Sequence, residues 1–144
     1  MGRLVALLLA LAVLIPIRAP AAAEPDLADS DRAAIRTTIE RQLAAFQRDD
    51  GSAAFSYAAP SIKERFGTPE NFMNMVRTGY EPVYRPREVE FGPVIEFQGQ
   101  PTQLVLLVGQ DLQVVTAYYL MEKQPDGNWR IDGCVLGDAP ASAT

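Results

Sequence analysis

The stretch that decides the fold is QLVLLVGQDLQVVTAYYLMEKQPDGNWRIDGCVL, residues 103–136. It contains three runs rich in apolar and β-branched residues, at 103–109, 112–123 and 128–136, which are typical of strands. The runs are joined by Gln110-Asp111 and by Pro125-Asp126-Gly127-Asn128, which are residue types that favour turns. Because such short links join neighbouring strands, they predict an antiparallel meander.

A further strand, or a pair of strands, is predicted upstream of this stretch. From Glu88 onward, Val89, Phe91, Ile95 and Phe97 alternate with polar residues. Gly99 and Pro101 then interrupt the run. The sheet is therefore expected to have four strands.

The residues before Glu88 have the spacing of helices instead. A first helix, capped by Ser30 or Asp29, is predicted to extend to about Asp49. Its apolar residues recur three or four positions apart, which places them on one face: Ile35, Ile39, Leu43 and Phe46. Shorter helical segments are predicted at 52–59 and 61–66, separated by Pro60.

The clearest helix start in the chain is Gly67-Thr68-Pro69-Glu70, because a Thr cap is followed by Pro at the first helical position. A helix from Pro69 to about Thr78 is expected to bury Phe72, Met73 and Val76, and Gly79 ends it. Helices first and strands afterwards predict an α+β fold, with N-terminal helices packed on a mainly antiparallel four-stranded sheet.

The two middle strands are apolar on both faces. Leu104, Leu106 and Val108 alternate with Val105 and Leu107, and the next strand repeats this pattern. The helices can cover one face only. The other apolar face must also be shielded from water. This predicts either a partner subunit, in a homodimer through the sheet, or an internal ligand cavity.

The N-terminus has the organisation of a cleavable signal peptide. Arg3 precedes an apolar run from Leu4 to Ile15, and Ala21-Ala22-Ala23 supplies the small residues of a cleavage site. The expected domains are a signal peptide (1–23), a flexible mature N-terminus (24–29), a single domain (30–137) and a disordered tail (138–144). The expected location is periplasmic or secreted, after cleavage near Ala23.

Composition excludes several functional classes. The chain has 13 Lys and Arg against 18 Asp and Glu, and removing residues 1–23 takes away two arginines and no acid. An acidic mature protein argues against a nucleic acid partner and against adhesion to an anionic membrane. The chain has no histidine, which removes the usual general base and the commonest transition-metal ligand. No metal site or cofactor is predicted, and the single Cys134 is either buried or available for an intermolecular bond.

The predicted order of elements, with the ending DGNWRIDG (126–133), resembles the nuclear transport factor 2-like, or cystatin-like, α+β cone. More narrowly, FMNMVRTGYEPVYRPR (72–87) and WRIDGCVL (129–136) resemble the exported bacterial family called domain of unknown function 4864. This resemblance spans about residues 30–137. It implies the cone fold and an export route, and no established activity. Some enzymes of the superfamily use an Asp, His or Tyr set in the cone, and this chain lacks the histidine.

Candidate binding residues concentrate between the last helix and the sheet. Arg77, Tyr80, Tyr84 and Arg85 bring together phenols and guanidinium groups that could hold an anion or a carboxylate. Alternatively, the tyrosines pack on the sheet edge and the arginines pair with nearby glutamates.

The last predicted strand adds one more candidate. Its two-residue period places Arg130, Asp132 and Cys134 on the face opposite Trp129 and Ile131. Asp132 could bind a ligand, act as a general base if burial raises its pKa, or be a solvated or Arg-paired carboxylate.

Three functions remain open from sequence. The first is a non-catalytic module that binds a small, partly apolar ligand in the cone pocket, near Tyr80, Tyr84 and Arg85. The second is a structural or interaction protein that works through its apolar sheet face. The third is a histidine-free hydrolase or isomerase that uses Asp132 and a tyrosine.

Overall fold

The computed structural model describes residues 25–138; the predicted signal peptide and the predicted tail beyond Asp138 lie outside this range. Five helices precede four strands, which confirms the predicted α+β fold. The helices are α1 (Asp29–Gln47), α2 (Gly51–Ser56), α3 (Pro60–Phe66), α4 (Pro69–Gly79) and α5 (Glu81–Tyr84). The strands are β1 (Glu88–Phe97), β2 (Gln100–Val108), β3 (Val114–Lys123) and β4 (Trp129–Asp138).

The strands form one open sheet in the order β1-β2-β3-β4, and each pairs antiparallel with the next. The predicted meander is therefore confirmed. Helices laid against one face of such a sheet are an arrangement consistent with the α+β cone.

β1 ends at Phe97, as the predicted break at Gly99 implies, but β2 begins at Gln100 and not at the predicted Gln103. Phe97 pairs with Gln100, so Gln98 and Gly99 alone form the turn, with φ angles of 52° and 76°. Positive φ at both positions suits a two-residue hairpin whose twist matches that of the strands. Pro101 lies inside β2, opposite Glu96, near the beginning of the strand where a proline is tolerated.

The long helices follow their apolar patterns. All four stripe residues predicted for the first helix are buried, and so are the three predicted for α4. The Thr68 cap is also confirmed, since its hydroxyl accepts a hydrogen bond from the Asn71 amide at 3.2 Å. The cap of α1 is Ala28 rather than Asp29 or Ser30, and Asp29 and Asp31 lie in the first turn, where carboxylates favour the helix dipole.

These elements enclose a core between the helices and one face of the sheet. The residues of that core include one face of β2 and β3, as the alternation predicted: Val105, Leu107, Ala117, Tyr119 and Met121. The opposite, outer face carries partly exposed apolar side chains, among them Leu104, Leu106 and Val114. None of the helices among residues 25–138 is both long and apolar enough to cross a membrane.

A β-bulge at Asp132 corrects the face prediction for the last strand. Leu120 pairs with Gly133 and Met121 pairs with Ile131, so Asp132 is an extra residue in β4. One extra residue shifts the alternation by one position. Cys134 consequently packs against the core on the same face as Ile131, and Val135 is exposed on the outer face.

The free edge of β4 is closed by the helical layer. The Ile131 amide donates to the Tyr57 carbonyl at 2.9 Å, and the Ile131 carbonyl accepts from the Ala59 amide at 2.8 Å. This bridge fixes the segment between α2 and α3 against the strand, because edge amides and carbonyls need partners. It also places α3 over the bulge.

Candidate functional site

A cavity of about 450 Å³ lies between the helical layer and the β3–β4 end of the sheet. Its walls come from α1, α3, α4, α5, β3 and β4, and they are mostly apolar. Three phenylalanines form the helical side: Phe46, Phe66 and Phe72. The Phe72 ring lies 5.8 Å from Phe66 and 6.2 Å from Phe46, centroid to centroid, in tilted or edge contacts that aromatic rings prefer.

Tyr119 contributes the most unusual polar group of this wall. The residue is 0% exposed and lines the cavity, yet its hydroxyl has no hydrogen-bond partner among the described residues. Burial raises the pKa of the Tyr119 phenol well above its ordinary value of 10.0. The phenol therefore stays neutral and keeps a proton that it can donate.

Cys134 lies directly opposite Tyr119 in the β3–β4 ladder and also lines the cavity. The residue as a whole is partly exposed, whereas burial of its thiol raises the pKa of Cys134 to about 12. A thiol that remains protonated at neutral pH is a weak donor and a poor nucleophile. The cavity wall thus carries two adjacent neutral donors.

Tyr80, predicted as a candidate, borders the same cavity from the junction of α4 and α5. Its hydroxyl donates to the Cys134 carbonyl at 2.9 Å. Burial raises the pKa of Tyr80, and the nearby Arg65 charge opposes this shift only in part. Tyr80 therefore closes the edge of β4 with a hydrogen bond that is already made.

Asp132, the other candidate on this wall, is held by two donors. Its Oδ1 accepts from Ser61 Oγ at 2.5 Å, and its Oδ2 accepts from Gln100 Nε2 at 2.9 Å. The bulge turns this carboxylate toward α3, which carries Ser61, rather than leaving it in the regular alternation. Both oxygens are thus occupied by protein donors.

The remaining three candidates, Arg77, Tyr84 and Arg85, do not line the cavity. They converge on Asp49, just beyond the end of α1: the Tyr84 hydroxyl and the Arg85 guanidinium both donate to its carboxylate, the latter at 3.0 Å. Arg77 Nη2 lies 3.5 Å from the same group. The arginines thus pair with Asp49, and not with the glutamates considered from sequence.

This Asp49 cluster fixes α5 to the end of α1. Arg85 also donates at 2.5 Å to the Phe46 carbonyl, in the last turn of α1, which accepts from the Asp49 amide as well. Its guanidinium lies 3.9 Å from the Tyr84 ring centroid. α5 itself was not predicted, because a four-residue helix containing Pro82 is too short to show a period. The cluster positions the helices that roof the cavity.

The Asp49 cluster predicts a loss of stability in acid. Its hydrogen bond from Tyr84, followed by the charges of Arg85 and Arg77, holds the pKa of Asp49 below its ordinary 3.8. A carboxyl with a lowered folded-state pKa stabilises the fold above pH 3.8, and this contribution is lost as pH falls through the folded pKa. We expect the urea midpoint of Asp49→Asn to fall less steeply than that of the wild type below about pH 4.

The matched control is Glu64→Gln, which neutralises an exposed carboxylate on α3. The urea midpoint of Glu64→Gln should fall below about pH 4 as steeply as that of the wild type. If the urea midpoints of Asp49→Asn and the wild type fell equally steeply as the pH is lowered, the folded protein could not be holding the pKa of Asp49 below its ordinary value.

Metal binding receives no geometric support among residues 25–138, where no three Cys, Asp or Glu side chains converge on one point. What the cavity offers chemically is an apolar, partly aromatic space with neutral hydrogen-bond donors on one wall. The chain is thus an α+β protein with an apolar cavity between its helices and its sheet.

Residues 28–144 match the family model described as Domain of unknown function (DUF4864), and the chain belongs to that family. No curated protein and no solved structure matches the chain.

Sequence reasoning did not single out Tyr119 or Arg65. Tyr119 was placed correctly on one face of its strand with Ala117 and Met121, and a phenol tip among purely apolar neighbours was the available signal. Arg65 gave no such signal, because its neighbours Lys63 and Glu64 make it resemble ordinary surface charge.

Proposed function

We propose that this protein is a non-catalytic binding module that holds a small, largely apolar molecule in the cavity between its helices and its sheet. The observation that carries the proposal is Tyr119, which lines the cavity and whose buried hydroxyl has no partner among the described residues. Buried polar groups are nearly always hydrogen-bonded, so an exception on a cavity wall favours a partner supplied from outside the chain.

The size and chemistry of the cavity support this function. Its volume of about 450 Å³ lies within the ~300–1,000 Å³ of small-molecule sites. Such sites combine apolar and aromatic walls with a few placed polar groups. Here Phe46, Phe66 and Phe72 supply the aromatic wall, and Tyr119 supplies the polar group.

The alternative of a hydrolase or isomerase is less well supported by the same geometry. Asp132 and Tyr80 do border one cavity, which the catalytic hypothesis required. Both groups, however, are hydrogen-bonded within the protein. Asp132 accepts from Ser61 and Gln100, and Tyr80 donates to the Cys134 carbonyl. A base and an acid that act together need to meet at one substrate position, and these two groups are instead engaged with the protein.

We further propose that the protein acts in the periplasm or outside the cell, after cleavage near Ala23, with residues 30–137 as its one functional domain. The signal-peptide pattern of residues 1–23 supports this location. The ligand would then be a molecule met outside the cytoplasm.

A second candidate is a homodimer through the outer face of the sheet. That face exposes Val114 and Val135, and it also carries Thr116, whose hydroxyl is buried without a partner among the described residues. A second copy could cover the apolar side chains in an isologous contact.

Native mass spectrometry of the protein purified from its natural source tests both candidates together. We expect a retained small molecule in the wild type and its loss in Ile62→Trp, since Ile62 lines the cavity and an indole there fills it. Glu64→Trp introduces the same side chain two residues away on the exposed side of α3, and it should retain the molecule.

The outcomes separate clearly. A retained molecule that survives Ile62→Trp would place binding elsewhere and contradict the proposal. For the second candidate, a monomeric mass at every protein concentration would exclude the homodimer.

A further inference from the structure

The hydroxyl of Tyr119 also restricts what kind of ligand the cavity can take, an inference that rests on the proposed function. Tyr119 is the largest fully buried side chain of the described chain. A buried hydroxyl without a partner destabilises the fold relative to one that is hydrogen-bonded. A phenylalanine would fill the same space without that cost, so the hydroxyl is unfavourable unless an acceptor from outside the chain bonds to it.

The O–H of Tyr119 is the group that needs a partner. Because burial raises the pKa of Tyr119, the phenol keeps this proton, and the thiol of Cys134 beside it is a second, weaker donor. The phenol oxygen can also accept a hydrogen bond, but only a ligand atom that accepts one satisfies the O–H.

The surroundings decide whether that acceptor carries charge. The cavity lining includes Phe46, Phe72 and Val76, all buried and apolar. The buried amide of Gln42 also lines it and donates to the Ala54 carbonyl at 3.1 Å. An anion moved there from water would lose far more solvation than one phenol and one thiol can replace. The charged residues that line the cavity are Arg65, which is exposed, and Asp132, whose oxygens already accept from Ser61 and Gln100. A neutral oxygen has a much smaller solvation loss.

We propose that the ligand buries an uncharged oxygen acceptor, such as a ketone or ester carbonyl carried on a rigid apolar frame, which receives the hydrogen bond of the Tyr119 hydroxyl. The apolar frame packs against the phenylalanines of α1 and α4. Specificity then comes from the carbonyl, because an apolar molecule of the same shape would leave the phenol unbonded.

Two probes of matched shape test this class of ligand. 2-Acetylnaphthalene and 2-isopropenylnaphthalene differ only in that a carbonyl oxygen replaces a methylene group. Their dissociation constants are measured by calorimetry with the wild type, Tyr119→Phe and Tyr118→Phe. Tyr118 is the matched control, since it is the next residue of β3 and its ring packs on the outer face against Phe97.

We expect the ketone to bind the wild type about five- to tenfold more tightly than the alkene, as one buried hydrogen bond provides. Tyr119→Phe should reduce this ratio to about one by weakening the ketone alone, and Tyr118→Phe should keep the wild-type ratio. In the absence of any probe, Tyr119→Phe should also melt about 3 °C higher, because the unbonded hydroxyl is gone.

Equal binding of both probes to the wild type would overturn the proposed carbonyl ligand and leave the proposed binding function standing. Failure of both probes to bind the wild type would overturn both. A lower melting temperature for Tyr119→Phe would show that the hydroxyl already has a partner in the folded protein, which also contradicts the inference.

Discussion

Replacing Phe72 by alanine is expected to destabilise the protein by about 3–5 kcal/mol, as large-to-small changes of buried aromatic residues do. Phe72 is almost fully buried at the centre of the aromatic cluster, with the rings of Phe55, Phe66 and Phe46 at 5.3, 5.8 and 6.2 Å. One side chain of α4 thereby packs against α1, α2 and α3. Its removal leaves a cavity where α1, α2, α3 and α4 meet.

Urea unfolding measures this loss, and Phe72→Leu is the matched control because it keeps most of the apolar volume. We expect Phe72→Leu to lose less than half as much stability as Phe72→Ala. If Phe72→Ala lost less than about 1 kcal/mol, the aromatic cluster could not be what holds the helical layer together.

The second large effect is expected for Trp129→Ala, also about 3–5 kcal/mol. Trp129 begins β4 and is 5% exposed, and its indole Nε1 donates to Asp31 Oδ1 at 3.0 Å. Lys123 Nζ lies 3.1 Å from the same carboxylate oxygen and 6.0 Å from the centroid of the Trp129 ring. The indole thus joins the first turn of α1 to the β3–β4 hairpin.

Trp129→Phe separates packing from the hydrogen bond, because it keeps an aromatic ring and removes the donor. Its loss of stability in the same urea experiment should be clearly smaller than that of Trp129→Ala. Equal losses for the two variants would mean that the bond to Asp31, and not the buried ring, provides the stabilisation.

The sequence was sufficient to predict those elements that follow from the regular spacing of apolar residues and from their cap and turn residues. The stripe of α1, the Thr68 cap and the meander of β2 to β4 follow from spacing and turn chemistry, and the structure confirms them. The end of β1 was predicted from the break at Gly99, whereas the start of β2 was placed three residues too late, at Gln103, because Pro101 was taken for a strand breaker although it is tolerated near the start of β2.

The bulge at Asp132 shows why the site could be predicted only in part. A two-residue period cannot reveal an extra residue, so the sequence placed Cys134 on the wrong face of β4. Tyr80 and Asp132 were named as candidates, and they do border the cavity. The cluster around Asp49 depends on a contact across 35 residues, between Asp49 and Tyr84, which no local pattern contains.

The central claim is that a small molecule binds between the helical layer and the sheet. The most direct test follows backbone amide chemical shifts of the protein by NMR during a titration with 2-acetylnaphthalene. The account predicts saturable shifts in α3, in α4 and in residues 131–135 of β4, all of which contribute to the cavity wall. Shifts confined to the outer face of β2 and β3, or none that saturate, would contradict it.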